Sequence, residues 1–307
     1  MFNKANPRIL GIVFVVLLAM VLLVKFTDSQ RGERSFKSNL VTYAKDEVAE
    51  VSVLPNNSDP YSLVKKGESW NVKKGEQLYP ANKNSVNRLL DQLVDLKVNQ
   101  VVATSSDSWG EYEVTDSAAT RVTIKAGDES TDLRIGKLNF DRQTRSAVSY
   151  VRQNGDENVY GVNGFLKMTL GRGANAYRKK TLVNLSNPSA VSEISFSYPA
   201  DSSFVLRKNN NNWMVEGQVA DSASTAQFIN KIKNMTGNSF AGNIEEGDMA
   251  NPTLKVNISG EQSIEVAAKQ VNGRWIVHSS LNPTAYFNDS QGNIRDKLFV
   301  SKEKFLP

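Results

Sequence analysis

The stretch that decides the fold is YSLVKKGESWNV, residues 61–72, which recurs as FVLRKNNNNWMV at residues 204–215. The tryptophans of the two stretches are 143 positions apart (213 − 70). Glu50–Val53 matches Glu193–Phe196 at the same offset. In each stretch apolar and polar residues alternate on both sides of a Gly or Asn turn. This pattern predicts a β-hairpin with one buried face, present twice.

A helix is predicted after each hairpin. Apolar residues recur every three or four positions from 86 to 96, and again from 228 to 235, so each run has one apolar face. Asn82 and Asp221 precede these runs and are good N-cap residues. The offset here is 139 (221 − 82), which a shorter turn before the second helix would absorb.

More strands are predicted after each helix. Three pairs of stretches match: Val122–Ile124 with Val256–Ile258, Leu133–Ile135 with Ile264–Val266, and Tyr150–Val162 with Tyr286–Val300. The predicted fold class is therefore α+β, as a tandem duplication of a module with an antiparallel sheet and one covering helix. The alternative is two unrelated α+β domains that share only generic alternation.

The N-terminal segment predicts a transmembrane helix before the first copy. Residues 9–24 include no charged residue. At about 1.5 Å per residue they span roughly 24 Å, and flanking lysines and arginines can reach the headgroups of a core about 30 Å thick. A cleavable signal peptide is the alternative, but no small-x-small site follows the apolar run. We expect an uncleaved signal anchor.

The orientation does not follow from charge, because basic residues flank both ends of the apolar segment. The short N-terminal tail and the lack of cysteine favour a chain anchored once in the inner membrane, with its bulk in the periplasm. The predicted organisation is an anchor with a short cytoplasmic tail (1–27), a stalk (28–46), the first repeat (47–165), a linker (166–187) and the second repeat (188–307).

Composition excludes several classes of site. The 307 residues include no cysteine and one histidine, His278, so thiolate chemistry and multi-histidine zinc sites cannot be built within one chain. The net charge is +5, but the basic residues are dispersed among acidic ones, which is typical of a solvated surface rather than of nucleic-acid binding. We predict no catalytic residue, cofactor or metal, and a protein that is not an enzyme.

One loop-like stretch predicts a binding surface. Trp109 and Tyr112 lie outside the alternating runs, and exposed aromatic side chains are frequent at contacts. A packed loop is the alternative. His278 is expected to be an ordinary strand residue, and Asp289 part of a solvated turn rather than of a calcium loop. Gly171–Gly173 lacks the residues that a phosphate loop needs.

The chain resembles a bacterial family catalogued as domain of unknown function forty-three-forty, in its Bacteroidetes-type form. The residues that support the resemblance are Trp70, Tyr79–Ala81, Leu89, Leu90, Leu93, Leu96, Tyr112–Asp116, Ile135–Lys137, Tyr150–Arg152, Val159–Val162, Arg178–Leu182 and Phe196–Phe204. One departure is Glu113–Val114, where the family often has Gly-Leu. The resemblance implies a membrane-anchored extracytoplasmic protein grouped with GldG-like ABC transporter and gliding components, and it implies no catalytic residues.

The leading functional hypothesis is a non-enzymatic accessory or scaffold protein of an ABC-type transport or gliding-motility-like envelope complex. Its expected partners are the membrane, through the anchor, and other envelope proteins such as ABC transporter subunits. A glycan- or peptidoglycan-binding module and an envelope hydrolase are the alternatives.

Overall fold

The computed structural model describes residues 16–20, 37–143 and 145–307. The predicted anchor lies outside the described residues except for 16–20, which are helical, and so do the first nine residues of the predicted stalk, 28–36. The rest of the predicted stalk is described, and its residues Asn39–Thr42 form a strand. In the parts of the chain that are described, no helix has both the length and the apolar character needed to cross a membrane.

The predicted class, α+β preceded by a transmembrane helix, is wrong. The described residues form mainly antiparallel sheets, with one sheet of ten strands, one of nine and one of two. Alternation of apolar and polar residues extends through most of the chain, whereas the helical period is confined to two windows of 11 residues. Apart from the helical residues 16–20, the described part of the chain contains four α-helices: α1 (Lys83–Leu93), α2 (Leu166–Leu170), α3 (Ser222–Ile232) and α4 (Arg295–Leu298).

Copy one, residues 39–177, contains the first ten strands. They are β1 (Asn39–Thr42), β2 (Val48–Leu54), β3 (Tyr61–Lys66), β4 (Ser69–Lys74), β5 (Gln77–Pro80), β6 (Asp95–Ala103), β7 (Thr120–Ala126), β8 (Glu129–Asp141), β9 (Ser146–Gln153) and β10 (Val159–Asn163). They form one sheet in the order β1-β6-β10-β9-β8-β7-β2-β3-β4-β5. Strand β5 is therefore at one edge.

Copy two, residues 181–305, contains the remaining strands. They are β11 (Thr181–Asn184), β12 (Glu193–Ser197), β13 (Phe204–Asn209), β14 (Asn212–Val215), β15 (Gln218–Val219), β16 (Asn234–Thr236), β17 (Ser239–Phe240), β18 (Leu254–Ser259), β19 (Ile264–Val271), β20 (Arg274–Ser279) and β21 (Tyr286–Asn288). Nine of them follow the order β15-β14-β13-β12-β18-β19-β20-β21-β17, and β11 pairs with β16.

The two copies have the same strand order once one break is recognised. The single long strand β6 of copy one pairs with β1 near its start and with β10 further on. In copy two the same path is divided into β16, which pairs with β11, and β17, which pairs with β21. Copy one is thus one antiparallel sheet, whereas the break divides copy two into a sheet of nine strands and the two-stranded pair β11-β16.

A helix covers the apolar face of each sheet. Helix α1 buries Val86, Leu89, Leu90 and Leu93, and the side chain of its N-cap Asn82 accepts a hydrogen bond from the Ser85 amide at 3.0 Å. Helix α3 buries Thr225, Phe228, Ile229 and Ile232, and Asp221 accepts from the Ser224 amide at 2.7 Å. Both predicted N-caps are confirmed, and each copy packs its own hydrophobic core.

Two of the matches made from sequence are out of register. Val122 pairs with Leu133 in copy one, and Val256 pairs with Val266 in copy two, so Leu133 corresponds to Val266 rather than to Ile264. A shift of two residues keeps the same face of a strand, so alternation cannot detect it. The stretch beginning at Tyr286 belongs to β21, which corresponds to β10, and not to the strand of Tyr150.

The stretch 166–187, predicted as a linker, is structured. Its first part contains α2 and ends at Tyr177, which is buried in the core of copy one. Its last part is β11, whose Leu182 and Val183 are buried in the core of copy two. Only Arg178–Lys180, the joint, lies between the two cores.

Candidate functional site

The predicted surface residues Trp109 and Tyr112 lie on the loop between β6 and β7. Both are partly buried. The Trp109 indole N–H donates to the Glu157 carbonyl at 2.9 Å, and the Arg152 guanidinium lies 3.7 Å from the ring centroid. One face and the polar edge of Trp109 are therefore already in contact with copy one.

Tyr112 is held by a close approach of two backbones. The Lys137 amide donates to the Tyr112 carbonyl at 3.0 Å, and a Cβ at Gly136 would lie 2.0 Å from the same oxygen. Only glycine fits there. The Tyr112 ring contacts Tyr150 edge-on at 4.7 Å. The structure brings both aromatic residues to one loop, and a ligand at this surface stays a prediction.

Three arginines lie side by side beneath this loop. Arg121, Arg134 and Arg152 are direct cross-strand neighbours on β7, β8 and β9. Like charges placed this way repel. The Asp116 carboxylate offsets the repulsion by binding Arg134 at 2.5 Å, and this bond lowers the pKa of Asp116 below its usual value. The cluster therefore holds the loop on the sheet.

A larger concave site lies between the two copies. This inter-copy cleft has a volume of about 980 Å³. Strand β5 and residues 59, 60, 74 and 75 line it from copy one, and residues 240–245, Thr284 and Tyr286 line it from copy two. Arg178, from the joint, lies in it as well.

Arg178 is held flat between two aromatic rings in the cleft. Its guanidinium carbon lies 3.6 Å from the ring centroid of Tyr79 and 3.8 Å from that of Phe240, so one ring comes from each copy. One terminal nitrogen donates to the Asn175 side chain at 3.2 Å, and the other donates to the Thr284 carbonyl at 3.4 Å. The buried Nε–H has no hydrogen-bond partner in the described part of the chain. Burial lowers the pKa of Arg178.

The joint is a run of three cations that contact uncharged groups. Lys179 Nζ donates to the Leu281 carbonyl at 3.2 Å, and Lys180 Nζ donates to the Asn238 carbonyl at 3.2 Å. Among the residues that the structure describes, none of the three forms an ion pair. Arg178 therefore places a positive charge in the cleft without an ion-pair partner among the described residues.

A family model described as Domain of unknown function (DUF4340) matches residues 74–255, which is more than half of the chain. The chain belongs to this family. The resemblance predicted from sequence is thus confirmed at the level of the family, whereas the Bacteroidetes and GldG associations stay predictions. No curated protein and no solved structure matches the chain.

The DUF4340 match runs from β4 of copy one to β18 of copy two, so it spans the joint rather than either copy alone. It includes Tyr79, Arg178 and Phe240, the three side chains of the stack. One signal for this site is visible in the sequence, the run Arg178–Lys180 without a neighbouring acid. Reading the run as part of a linker hid its significance.

Two strand edges meet the cleft of this DUF4340 chain. Strands β5 and β17 end their sheets, so each has one edge without a partner strand in the described residues. The joint covers only the end of β5, where Ala81 pairs with Arg178 and the Lys179 amide donates to the Pro80 carbonyl at 2.8 Å. The edge at Leu78 extends beyond this contact into the cleft.

The other candidate sites have structural roles. The Asp289 carboxylate accepts from the backbone amides of Ile294 and Arg295 at 2.9 Å each, so it shapes a turn. The His278 ring stacks on Tyr286 at 5.0 Å, with Nε2 3.2 Å from the Pro283 carbonyl oxygen. Within the described ranges no cluster of three His, Cys, Asp or Glu residues is placed to hold a metal.

Proposed function

We propose that this DUF4340 protein is a non-enzymatic accessory or scaffold protein of an extracytoplasmic complex, and that its partner binds in the inter-copy cleft. The observation that supports this most strongly is the position of Arg178, which is stacked between one ring from each copy and has no carboxylate partner in the described part of the chain. A cation placed in this way is a common centre of a protein interface, where arginine and aromatic residues are enriched.

The strand edges add a second reason to propose partner binding. An unpaired edge presents a row of backbone donors and acceptors, and proteins usually blunt or cover such edges. Here the open parts of β5 and β17 lie in one cleft, which keeps them away from edge-to-edge pairing with large sheets. A single extended segment could enter and pair with them.

The proposed complex is of the ABC-type transport or gliding-motility-like kind. Membership of the family and the duplicated sheet module are consistent with a scaffold, and the lack of cysteine suits an extracytoplasmic site. Protease added to intact spheroplasts should digest the protein if this location is right. Digestion only after lysis of the spheroplasts would contradict it.

Site-specific photo-crosslinking in cells tests the partner. A photoreactive amino acid at Leu78, in the cleft, should capture one envelope protein that mass spectrometry identifies as a transporter or motility subunit. The same amino acid at Val205, exposed on β13 and outside the cleft, is the matched control. Equal capture from both positions, or recovery of no such subunit, would refute the proposal.

A glycan-binding surface at Trp109 and Tyr112 is the second candidate. The observation in its favour is that two aromatic rings, each beside a cation, lie on one partly exposed loop. Binding of the wild type to purified cell-wall material is compared with that of Trp109→Ala. Equal retention of the two proteins would eliminate this surface.

A further inference from the structure

We infer that the segment bound in the inter-copy cleft is an extended peptide that adds to strand β5 and pairs one carboxylate with Arg178. This inference rests on the proposed function, because it names the chemistry of the partner at the same cleft. The carboxylate belongs to an Asp or Glu side chain or to a free C-terminus.

Alternate residues of β5 direct their backbone groups to the free edge of the sheet. The Pro80 carbonyl accepts from Lys179, so the backbone of Pro80 faces away from β4. Groups two residues apart in a strand face the same side, which places those of Leu78 on the same outer edge. After Lys179 the chain leaves β5, since the Lys180 carbonyl accepts from Gly237 of copy two at 2.8 Å. The rung at Leu78 is open for another strand.

Arg178 lies next to the open backbone groups of Leu78. Arg178 pairs with Ala81, the residue that follows β5, three residues from Leu78 and on the same edge of the sheet. A peptide that continues the joint along β5 therefore begins beside the guanidinium. The backbone supplies the strand hydrogen bonds, and the side chain nearest the joint supplies the charge.

The Arg178 guanidinium has hydrogen-bond donors to spare for a ligand. Arginine has five N–H donors, and two nitrogens of Arg178 contact neutral oxygens at 3.2 and 3.4 Å. A carboxylate would make a bidentate, charge-assisted pair that is about twice as strong as a neutral hydrogen bond. Because Tyr79 and Phe240 already fix the plane, little side-chain freedom is lost on binding.

The charges around the cleft favour a single carboxylate over a polyanion. Asp59 and Glu245 line the same cleft, and Asp59 is paired with Lys74 at 2.9 Å. These carboxylates would repel a nucleic acid or a phosphate-rich ligand. An extended peptide with one acidic group can pair that group with Arg178. If its other residues are uncharged, they are not repelled by Asp59 and Glu245.

The test uses the full chain and a displayed library of linear peptides of about six residues, a typical strand length. Selected peptides are resynthesised with Glu or with Gln at the acidic position. Their affinity is measured for the wild type, Arg178→Gln, Arg178→Lys and Leu78→Pro. The matched control is Arg274→Gln, an exposed arginine on β20 that does not line the cleft.

The expected result is a shared acidic position in the selected peptides. Replacing Glu by Gln in the peptide, or Arg178 by Gln in the protein, weakens binding by roughly tenfold or more. The two changes together weaken it no further, because they remove the same pair. Arg178→Lys has an intermediate effect, Leu78→Pro weakens all selected peptides, and Arg274→Gln weakens none.

Two other outcomes separate the inference from the proposed function. Peptides that depend on Leu78 but show no acidic preference and no coupling to Arg178 would overturn the inference and leave the cleft as the binding site. A library without binders, or binders insensitive to both Leu78→Pro and Arg178→Gln, would overturn the inference and the proposed docking site together. If phosphate but not acetate displaces the selected peptides, Arg178 binds a free phosphate-like anion. That result would also refute the inference of a bound peptide carboxylate.

Discussion

The two copies share one arrangement of strands and helices but differ in the side chains of their cores. In copy one Tyr61 stacks on Tyr177 with ring centroids 5.7 Å apart, and the Tyr61 hydroxyl donates to the Leu170 carbonyl at 2.8 Å. In copy two the corresponding residues are Phe204 and Phe305, 6.1 Å apart and without hydroxyl groups. The same position in the fold therefore accepts an aromatic pair with hydroxyl groups or one without them.

Copy two extends its pair into a cluster. Phe196 stacks on Phe204 at 4.3 Å, and Phe305 contacts Phe228 edge-on at 5.3 Å. The residues of copy one at the positions of Phe196 and Phe228 are aliphatic, Val53 and Leu89. A core of this kind is specified by total volume and pattern more than by particular residues.

The largest expected effect is the loss of Phe228. Phe228→Ala removes a fully buried ring from the aromatic cluster and should destabilise copy two by about 4 kcal/mol. Leu89→Ala, its counterpart in copy one, should cost about 3 kcal/mol in that copy. Hydrogen exchange measured by mass spectrometry shows where protection is lost. Equal loss in both copies for either variant would mean that the cores are not separate.

A smaller effect is expected where the copies differ in strand continuity. Gly237 lies between β16 and β17, and a Cβ there would be 2.0 Å from the Phe287 ring. Gly237→Ala should therefore cost about 2 kcal/mol through overpacking, measured by urea unfolding. Val98, in the continuous β6, is the corresponding residue of copy one.

The double variant Gly237→Ala/Phe287→Leu provides the control. Leucine is smaller than the Phe287 ring and makes room for the methyl group, so the double variant should cost less than the sum of the two single variants. Strict additivity would show that the contact with Phe287 is not the reason for the cost.

An effect of about 1 kcal/mol is expected from converting copy one toward copy two. Tyr61→Phe removes the hydrogen bond to Leu170. Burial raises the pKa of Tyr61, so the folded protein keeps the proton while the unfolded chain loses it near pH 10. The contribution of Tyr61 is full below that pH and is lost as the pH rises further.

Tyr61→Phe should therefore show a flatter decline of unfolding free energy between about pH 9 and 11, measured by urea titration. The Phe204→Tyr variant makes the reverse change in copy two. A decline as steep in Tyr61→Phe as in the wild type would contradict the assignment.

The smallest effect concerns the helix caps. Hydrogen bonds from Ser224 lower the pKa of Asp221, so its capping contribution is present above the unfolded pKa and is lost as the pH falls through the folded value. Asn82, the cap of copy one, does not titrate. The melting temperature of copy two should therefore fall less at acid pH in Asp221→Asn than in the wild type. At neutral pH the two melting temperatures should be nearly the same. An equal fall of the melting temperature at acid pH in the variant and the wild type would refute this prediction.

The sequence predicts the parts of this fold that depend on local pattern. The hairpins, the helical windows and the two caps follow from period and chemistry within a few residues, and repetition supports each of them. The class was wrong because the helices are a minor part of extended sheets. The matches at Leu133 and Tyr150 failed because alternation repeats every two residues, so several registers fit equally well.

The candidate site was much harder to predict. Tyr79, Arg178 and Phe240 are far apart in sequence, and each belongs to a different unit: a strand, the joint and an edge strand of the other copy. Their stack depends on how the copies meet, which no periodicity encodes. The aromatic loop at Trp109 was visible from sequence because its residues are consecutive, but not that Arg152 would cover one ring face.

The brevity of the joint has a mechanical consequence. From Tyr177 in one core to Thr181 in the first strand of the other, a fully extended chain covers about 14 Å, at roughly 3.5 Å per residue. If the two copies moved further apart than this at the joint, the hydrogen bonds between β11 and β16 would have to break. The joint therefore limits how far the two walls of the cleft can separate at the point where it crosses, beside Arg178 and the end of β5.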